Sequence, residues 1–94
     1  GYPIVAFVEI AISQATLRHS YAAITDIPEI VEVHATTGNA DLLAKIVARD
    51  TADLHRITNR LFDIEGVQRT NTSVSLDEVV AFRIAPLLER AAEE

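Results

Sequence analysis

Apolar residues dominate the start of the chain, where the run IVAFVEIAI extends from Ile4 to Ile12 with a single charge. β-Branched and aromatic residues in such a run predict a strand. Apolar residues then recur at helical spacing between Ser13, a candidate N-cap, and about Thr25, which predicts a helix. Pro28 prevents this helix from continuing.

The next segments have the sequence pattern of a β-hairpin. Residues Ile30 to Thr37 alternate between apolar and polar side chains and predict a second strand. The sequence Gly38-Asn39-Ala40-Asp41 has the residue types of a turn, and a third strand is predicted from Leu42 to Arg49. The two strands and the turn together predict a hairpin.

A helical pattern returns after the hairpin. Asp50 is a good N-cap for an amphipathic helix, and Gly66 is placed as its C-terminal stop. Residue types predict a fourth strand from Val67 to Leu76 and a fifth from Val79 to Ala85. Pro86 opens a short acidic helical tail.

This order of elements predicts the fold class and a mode of self-association. The order β-α-β-β-α-β with an extra C-terminal strand predicts an α+β, ferredoxin-like sandwich, in which two helices cover one sheet face. Strand one is nevertheless apolar on both faces: Ile4, Ala6, Val8, Ile10 and Ile12 on one, Val5, Phe7 and Ala11 on the other. A soluble monomer rarely leaves such a face uncovered, so we expect dimerisation through the sheet across a twofold axis.

Composition narrows the class of protein further. The 94 residues predict a single domain (residues 1–94), and 49% of them are hydrophobic. Fourteen acidic residues against eight basic ones give a net charge of -6, which disfavours direct binding to nucleic acid. Without cysteine there is no disulfide and no thiolate chemistry, and no membrane span or signal peptide is apparent. We therefore expect a cytoplasmic protein.

The polar residues do not predict catalysis. His19, His34 and His55 lack the spacing of a metal-binding pair, and Ser73 and Ser75 have no nearby base in the sequence. We therefore predict no metal, no cofactor and no catalytic residues. Four arginines are scattered among carboxylates, and this pattern favours a solvated surface over an anion-binding site. They are Arg49, Arg56, Arg60 and Arg69.

Two local features permit both a structural and a functional interpretation. The segment from Thr36 to Asp41 is either an ordinary turn or a site where backbone N–H groups hold a carboxylate and Asp41 pairs with an ammonium group. Gln68, Thr70 and Thr72, predicted to share a face, are either the polar side of an edge strand or hydroxyl partners of a small polar ligand.

Four segments, in order, resemble the C-terminal effector domain of the Lrp/AsnC transcription regulators, also called the RAM domain. The first is GYPIVAFVEIAI, similar to that domain's first strand. The second is DIPEIVEVHATTGNAD, similar to an IPEV segment before a strand ending in G-x-x-D. LLAKIVARD follows as the next strand, and IEGVQRTNTSVSLDEV resembles the family pattern GV-x-x-T-x-T.

The resemblance implies a fold, an assembly and a site. Members of the family have a βαββαβ fold, form dimers through their sheets and often assemble into rings, so a homodimer and a higher oligomer such as an octamer are expected. A free amino acid binds in clefts between dimers. Carried over to this chain, the effector-binding residues are Gly38, Asn39, Ala40, Asp41, Thr70 and Thr72. The family often has an aromatic residue where this chain has Ala40, which implies a larger pocket.

The resemblance also frames the functional hypotheses. The family's helix-turn-helix is not found in this sequence, and the start at Gly1 favours an isolated effector domain of a longer regulator over a stand-alone version. The leading hypothesis is a non-enzymatic amino-acid sensor and oligomerisation domain. The alternatives are a small dimeric α+β-barrel enzyme of the monooxygenase or isomerase type, with a buried His34 beside a closed cavity, and an ACT-like amino-acid-binding module.

Overall fold

Four strands and three α-helices make up the structure, a computed structural model that describes all residues from Gly1 to Glu94. In chain order they are β1 (Ile4–Ile12), α1 (Leu17–Thr25), β2 (Ile30–Ala35), β3 (Leu42–Ala48), α2 (Thr51–Phe62), β4 (Val67–Val74) and α3 (Ala85–Glu93). A single 3-10 turn, Gln14–Thr16, precedes α1. No helix is both long enough and apolar enough to cross a membrane.

The strands form one antiparallel sheet in the order β2-β3-β1-β4. Alternate residues of β1 and β3 are fully buried, and they pack with apolar residues of α1 and α2 into a single core. Both helices therefore cover the same sheet face. This arrangement confirms the predicted ferredoxin-like fold.

The helix boundaries have identifiable causes. Asp50 caps α2, since its Oδ1 accepts a hydrogen bond from the Asp53 backbone N–H at 2.7 Å. Ser13 makes no side-chain cap, and its backbone N–H donates to the Gly66 carbonyl at 2.8 Å. The helix α2 ends at Phe62, and Gly66 has a φ of +97° in the turn that leads into β4.

The predicted fifth strand from Val79 to Ala85 is wrong. Strand pairing ends where the Ser75 N–H donates to the Val5 carbonyl at 2.8 Å, one residue after β4. β1 begins at Ile4, so the chain beyond Ser75 runs past the end of the strand it was pairing with. The helical tail that follows is confirmed as α3.

The sheet face opposite α1 and α2, called the open face below, is of mixed character. Its members on β1 and β3 are Val5, Phe7, Glu9, Ala11, Leu43, Lys45 and Val47, and those on β4 are Arg69, Asn71 and Ser73. The side chain of Phe7 is 40% exposed there. The second apolar face predicted for β1 is therefore present, but Glu9 and Lys45 interrupt it.

Candidate functional site

The turn of the β2–β3 hairpin is tied firmly to β1. The Asp41 N–H donates to the Ile10 carbonyl at 3.0 Å, and Asp41 Oδ2 accepts the Ile12 N–H at 2.8 Å. The Thr36 N–H closes the hairpin on the Asp41 carbonyl at 3.0 Å. The Asp41 carboxylate thus accepts a backbone hydrogen bond at the end of β1, and this bond holds the tip in place.

An open cleft of about 690 Å³ lies where this tip meets the open face. Its lining residues are Glu9, Ala11, Asn39, Ala40, Arg69 and Asn71. Arg69 Nη2 donates to the Asn39 carbonyl at 3.1 Å and so connects β4 to the tip across the cleft. Ala40 is buried, with 8% exposure, and gives the cleft part of its apolar floor.

The register of the sheet explains this meeting of side chains. In the antiparallel pairing of β1 with β4, Glu9 is opposite Asn71 and Ala11 is opposite Arg69. A carboxylate, a guanidinium and two side-chain amides therefore share one cleft beside two small methyl groups. Glu9 and Arg69 do not pair with each other, so each charge is available to a ligand.

The site residues expected from the resemblance divide between two faces of the sheet. Asn39 and Ala40 line the cleft, with Asp41 and the exposed Gly38 beside them in the turn. Thr70 and Thr72 are opposite Ile10 and Val8, whose side chains lie in the core. The two threonines therefore point to the helix side of the sheet and do not join the tip residues in the cleft.

Glu9, Arg69 and Asn71 were missed as site residues by reasoning from the sequence. Arg69 was interpreted as one of several surface arginines. One signal was available: Glu9 is the only charge in the first strand, and an isolated charge in an apolar strand marks a polar position on one face. That Glu9 and Arg69 line the same cleft follows only from the register in which β1 pairs with β4.

The histidines do not form a second site. The side chain of His34 is 60% exposed and hydrogen-bonds Glu32 Oε1 at 2.6 Å, and this bond is the main cause that lowers the pKa of Glu32. The enzyme alternative predicted a buried His34 beside a closed cavity, and that arrangement is not found. His19 lies 4.0 Å from Glu65, with both side chains mostly exposed.

A separate ion-pair cluster joins α2 to the loop before β2. The buried Asp53 accepts the Arg49 backbone N–H at 3.0 Å and is bridged by the Arg56 guanidinium at 2.8 Å. These bonds, the backbone one first, hold the pKa of Asp53 well below its usual range. Arg56 also reaches Glu29 at 2.7 Å, so the cluster fixes the start of α2.

The antiparallel sheet, the two helices on one face and the polar cleft at a hairpin tip define a ferredoxin-like α+β domain with a candidate small-molecule site. The chain belongs to the Lrp/AsnC ligand-binding domain family, whose model matches residues 5–84.

Its similarity to individual proteins is consistent with that membership. It is 34% identical over 76 residues to the HTH-type transcriptional regulator FL11 of Pyrococcus furiosus, covering 81% of this chain and 50% of the relative. Structurally it is similar to E. coli AsnC, with a TM-score of 0.82, 26% identity and coverage of 92% of this chain and 59% of that one. It also matches the fold of the Neisseria meningitidis transcriptional regulator NMB0573, solved as a complex with L-Met, with a TM-score of 0.80, 23% identity and coverage of 92% and 60%. The chain spans about half the length of the curated relatives it matches.

Proposed function

We propose that this chain is the amino-acid-sensing and oligomerisation domain of an Lrp/AsnC-type transcriptional regulator. The observation that carries the proposal is the cleft where the hairpin tip meets Glu9 and Arg69 on the open face. Membership in a ligand-binding domain family and the L-Met complex of the Neisseria regulator support the ligand class.

The cleft has the chemistry that a free amino acid requires. A zwitterion presents one carboxylate and one ammonium group a few ångströms apart. Arg69 is suited to the carboxylate, because a guanidinium offers donors in a planar fork. Glu9 is suited to the ammonium group, and Asp41 lies beside the cleft as a second carboxylate. The small side chain of Ala40 leaves room for the ligand's own side chain.

Binding in this position would act through assembly. The cleft lies at the border of the open face, which is the face expected to meet a second protomer. A ligand shifts an assembly equilibrium only by its difference in affinity for the two arrangements. We therefore propose that the amino acid changes how dimers contact each other and so changes the regulator's oligomeric state.

Other properties belong to the same proposal. The relatives it matches are transcriptional regulators, and we propose that this chain, too, has no catalytic activity. We further propose that residues 1–94 form one domain, that it works in the cytoplasm, and that its net charge of -6 leaves DNA contact to another part of the regulator. The ACT-like alternative would bind the same ligand class but would associate side by side.

The first test is a melting experiment with the twenty amino acids. At a ligand concentration 100 times Kd, binding stabilises a protein by about 2.7 kcal/mol, which a thermal shift detects easily. We expect at least one amino acid to raise Tm, and its N-acetyl and amide derivatives, each lacking one charge, to raise it less. If no amino acid changes either the melting or the mass of a protein that stays monomeric, the proposal is wrong.

Variants then locate the ligand. Arg69→Gln removes the guanidinium from the cleft, and Asp41→Asn removes a charge but keeps an oxygen to accept the Ile12 N–H. Both should weaken the response by tenfold or more in Kd. Thr72→Val removes a hydroxyl from the opposite face. A response lost only in Thr72→Val would place the ligand on the helix side, with Thr70 and Thr72 as its contacts.

A further inference from the structure

The side chains that line the cleft at the hairpin tip are mostly polar. Two of the six lining residues carry side-chain amides, Asn39 on the tip and Asn71 on β4. Both residues are exposed, and neither side-chain amide is hydrogen-bonded within the chain, since the Arg69 guanidinium bonds only the backbone carbonyl of Asn39. Each amide therefore offers donors and an acceptor to a ligand.

The strand register places one of these amides beside the expected ammonium group of the ligand. Asn71 is opposite Glu9 in the antiparallel pairing of β4 with β1. The Cβ atoms of residues in such opposite positions are about 4.5–5.5 Å apart. Arg69, two positions earlier on the same face of β4, is left to hold the ligand's carboxylate. An amino acid whose ammonium group binds Glu9 therefore brings its own side chain within reach of Asn71.

The two charges of the cleft are both engaged once a zwitterion is bound. The lining contains one carboxylate, that of Glu9, and one guanidinium, that of Arg69. With the ammonium group on the first and the carboxylate on the second, no third charge in the lining remains for a charged ligand side chain. The Asp41 carboxylate, which lies beside the cleft, already accepts the Ile12 N–H. The lining therefore favours a ligand with an uncharged side chain.

The cleft also lacks the surface that a large apolar side chain would need. Its only apolar lining residues are Ala11 and Ala40, each of which contributes a single methyl group. A more apolar groove of about 250 Å³ lies elsewhere, between α1 and β2, and its lining includes Tyr21, Val33 and Leu42. In the cleft at the tip, a ligand with an apolar side chain would displace water from the two amides without replacing its hydrogen bonds, which is unfavourable.

We propose that the cleft selects an amino acid whose side chain ends in a carboxamide, and that Asn71 and Asn39 determine this specificity. A primary carboxamide has an acceptor oxygen and a donor NH₂ group, so it can form a pair of hydrogen bonds with an asparagine side chain. A site built to hydrogen-bond such a group discriminates strongly against an analogue that lacks it. The inference rests on the proposed function and names the class of ligand for the same cleft.

Isothermal titration calorimetry with matched ligands tests the ligand class. Free asparagine is compared with leucine, which has a similar branched shape, and free glutamine with methionine, which has a similar length. Aspartate and lysine represent the charged ligands. We expect one of the two carboxamide amino acids to bind at least tenfold more tightly than its apolar match and than either charged ligand.

Leucine substitutions test the two residues that determine the specificity. Asn71→Leu and Asn39→Leu each replace an amide by an apolar group of similar size, and Asn59→Leu makes the same change at an exposed position of α2. We expect both cleft variants to weaken carboxamide binding by tenfold or more, while the affinity for the apolar match is unchanged or higher. Asn59→Leu should match the wild type. Circular dichroism and melting without ligand confirm that each variant is folded.

The outcomes separate this inference from the proposed function. Tightest binding of leucine, methionine or a charged amino acid would overturn the specificity and leave the sensor function intact. Cleft variants that keep full affinity for the carboxamide ligand, or that lose affinity equally for both members of a matched pair, would show that Asn71 and Asn39 do not select the ligand and would overturn the inference. If none of the twenty amino acids binds, the proposed function and the inference both fail.

Discussion

The two glycines with positive φ offer a matched test of the packing between α1 and the turn before β4. Gly38 has a φ of +104° and Gly66 a φ of +97°, so alanine is strained to the same degree at both positions. A Cβ at Gly38 would meet no atom within 4 Å. A Cβ at Gly66 would collide with Thr16 Oγ1 and lie 2.6 Å from Ser20 Oγ.

The magnitudes separate the two substitutions clearly. The strained backbone costs about 1–2 kcal/mol in each variant. In Gly66→Ala, overpacking adds about 1–3 kcal/mol. Displacement of the fully buried Ser20 adds about 1 kcal/mol, because its hydroxyl loses the 3.0 Å hydrogen bond to the Glu65 carbonyl. The free energy of unfolding should therefore fall by at least about 2 kcal/mol more in Gly66→Ala than in Gly38→Ala, equivalent to about 8–16 °C in Tm.

Thermal unfolding followed by circular dichroism measures this difference, at one protein concentration because self-association makes Tm depend on concentration. Adding Thr16→Ala to Gly66→Ala removes the colliding oxygen and should restore part of the lost stability. Equal destabilisation by the two glycine substitutions would refute the reasoning, and so would a double variant no more stable than Gly66→Ala alone.

Two further predictions concern stability. The pKa of Asp53 is lowered in the folded chain, first by the hydrogen bond from the Arg49 backbone N–H and then by those from the Arg56 and Arg49 side chains. The stability that Asp53 contributes is therefore complete above about pH 4–5 and is lost as the pH falls further. Urea midpoints measured from pH 6 downward should therefore decline less steeply in Asp53→Asn. Ile57→Ala removes a fully buried side chain and should lower the free energy of unfolding, measured in urea, by about 2–5 kcal/mol. Phe62→Ala, at an exposed site, should lower it by less than about 1 kcal/mol. Similar losses in the two variants would contradict the assigned core.

Local patterns predicted most of the elements correctly. The run of β-branched residues that forms β1 and the turn residues of the hairpin specify their structure over short stretches of chain. Asp50 is a comparable case, because an N-cap needs only a side chain and an N–H three residues later. The family resemblance depended on these same segments, and the family match confirms it.

The errors fall where a segment needs a distant partner. Val79 to Ala85 has the composition of a strand, but a strand forms only beside the edge of another strand. β1, with which β4 pairs, does not extend far enough to pair with this segment. Ser13 has the residue type of a cap, but its side chain makes no capping hydrogen bond, and its position is held by a backbone bond to Gly66, more than fifty residues away. In both places tertiary geometry overrides local preference.

Local patterns in the sequence were enough to predict the family and the order of every element except the fifth strand, and a binding site at the hairpin tip stays a prediction. Which side chains share a cleft depends on how distant strands pair, and no local pattern specifies that pairing. A register shift in the β1–β4 pairing places Arg69 opposite Ala11 and Val67 opposite Ile12, so Gln68 is left between the two pairs. Since one residue of shift reverses the face of every side chain, this irregularity brings Arg69 to Glu9 and the tip, and turns Thr70 and Thr72 to the helices.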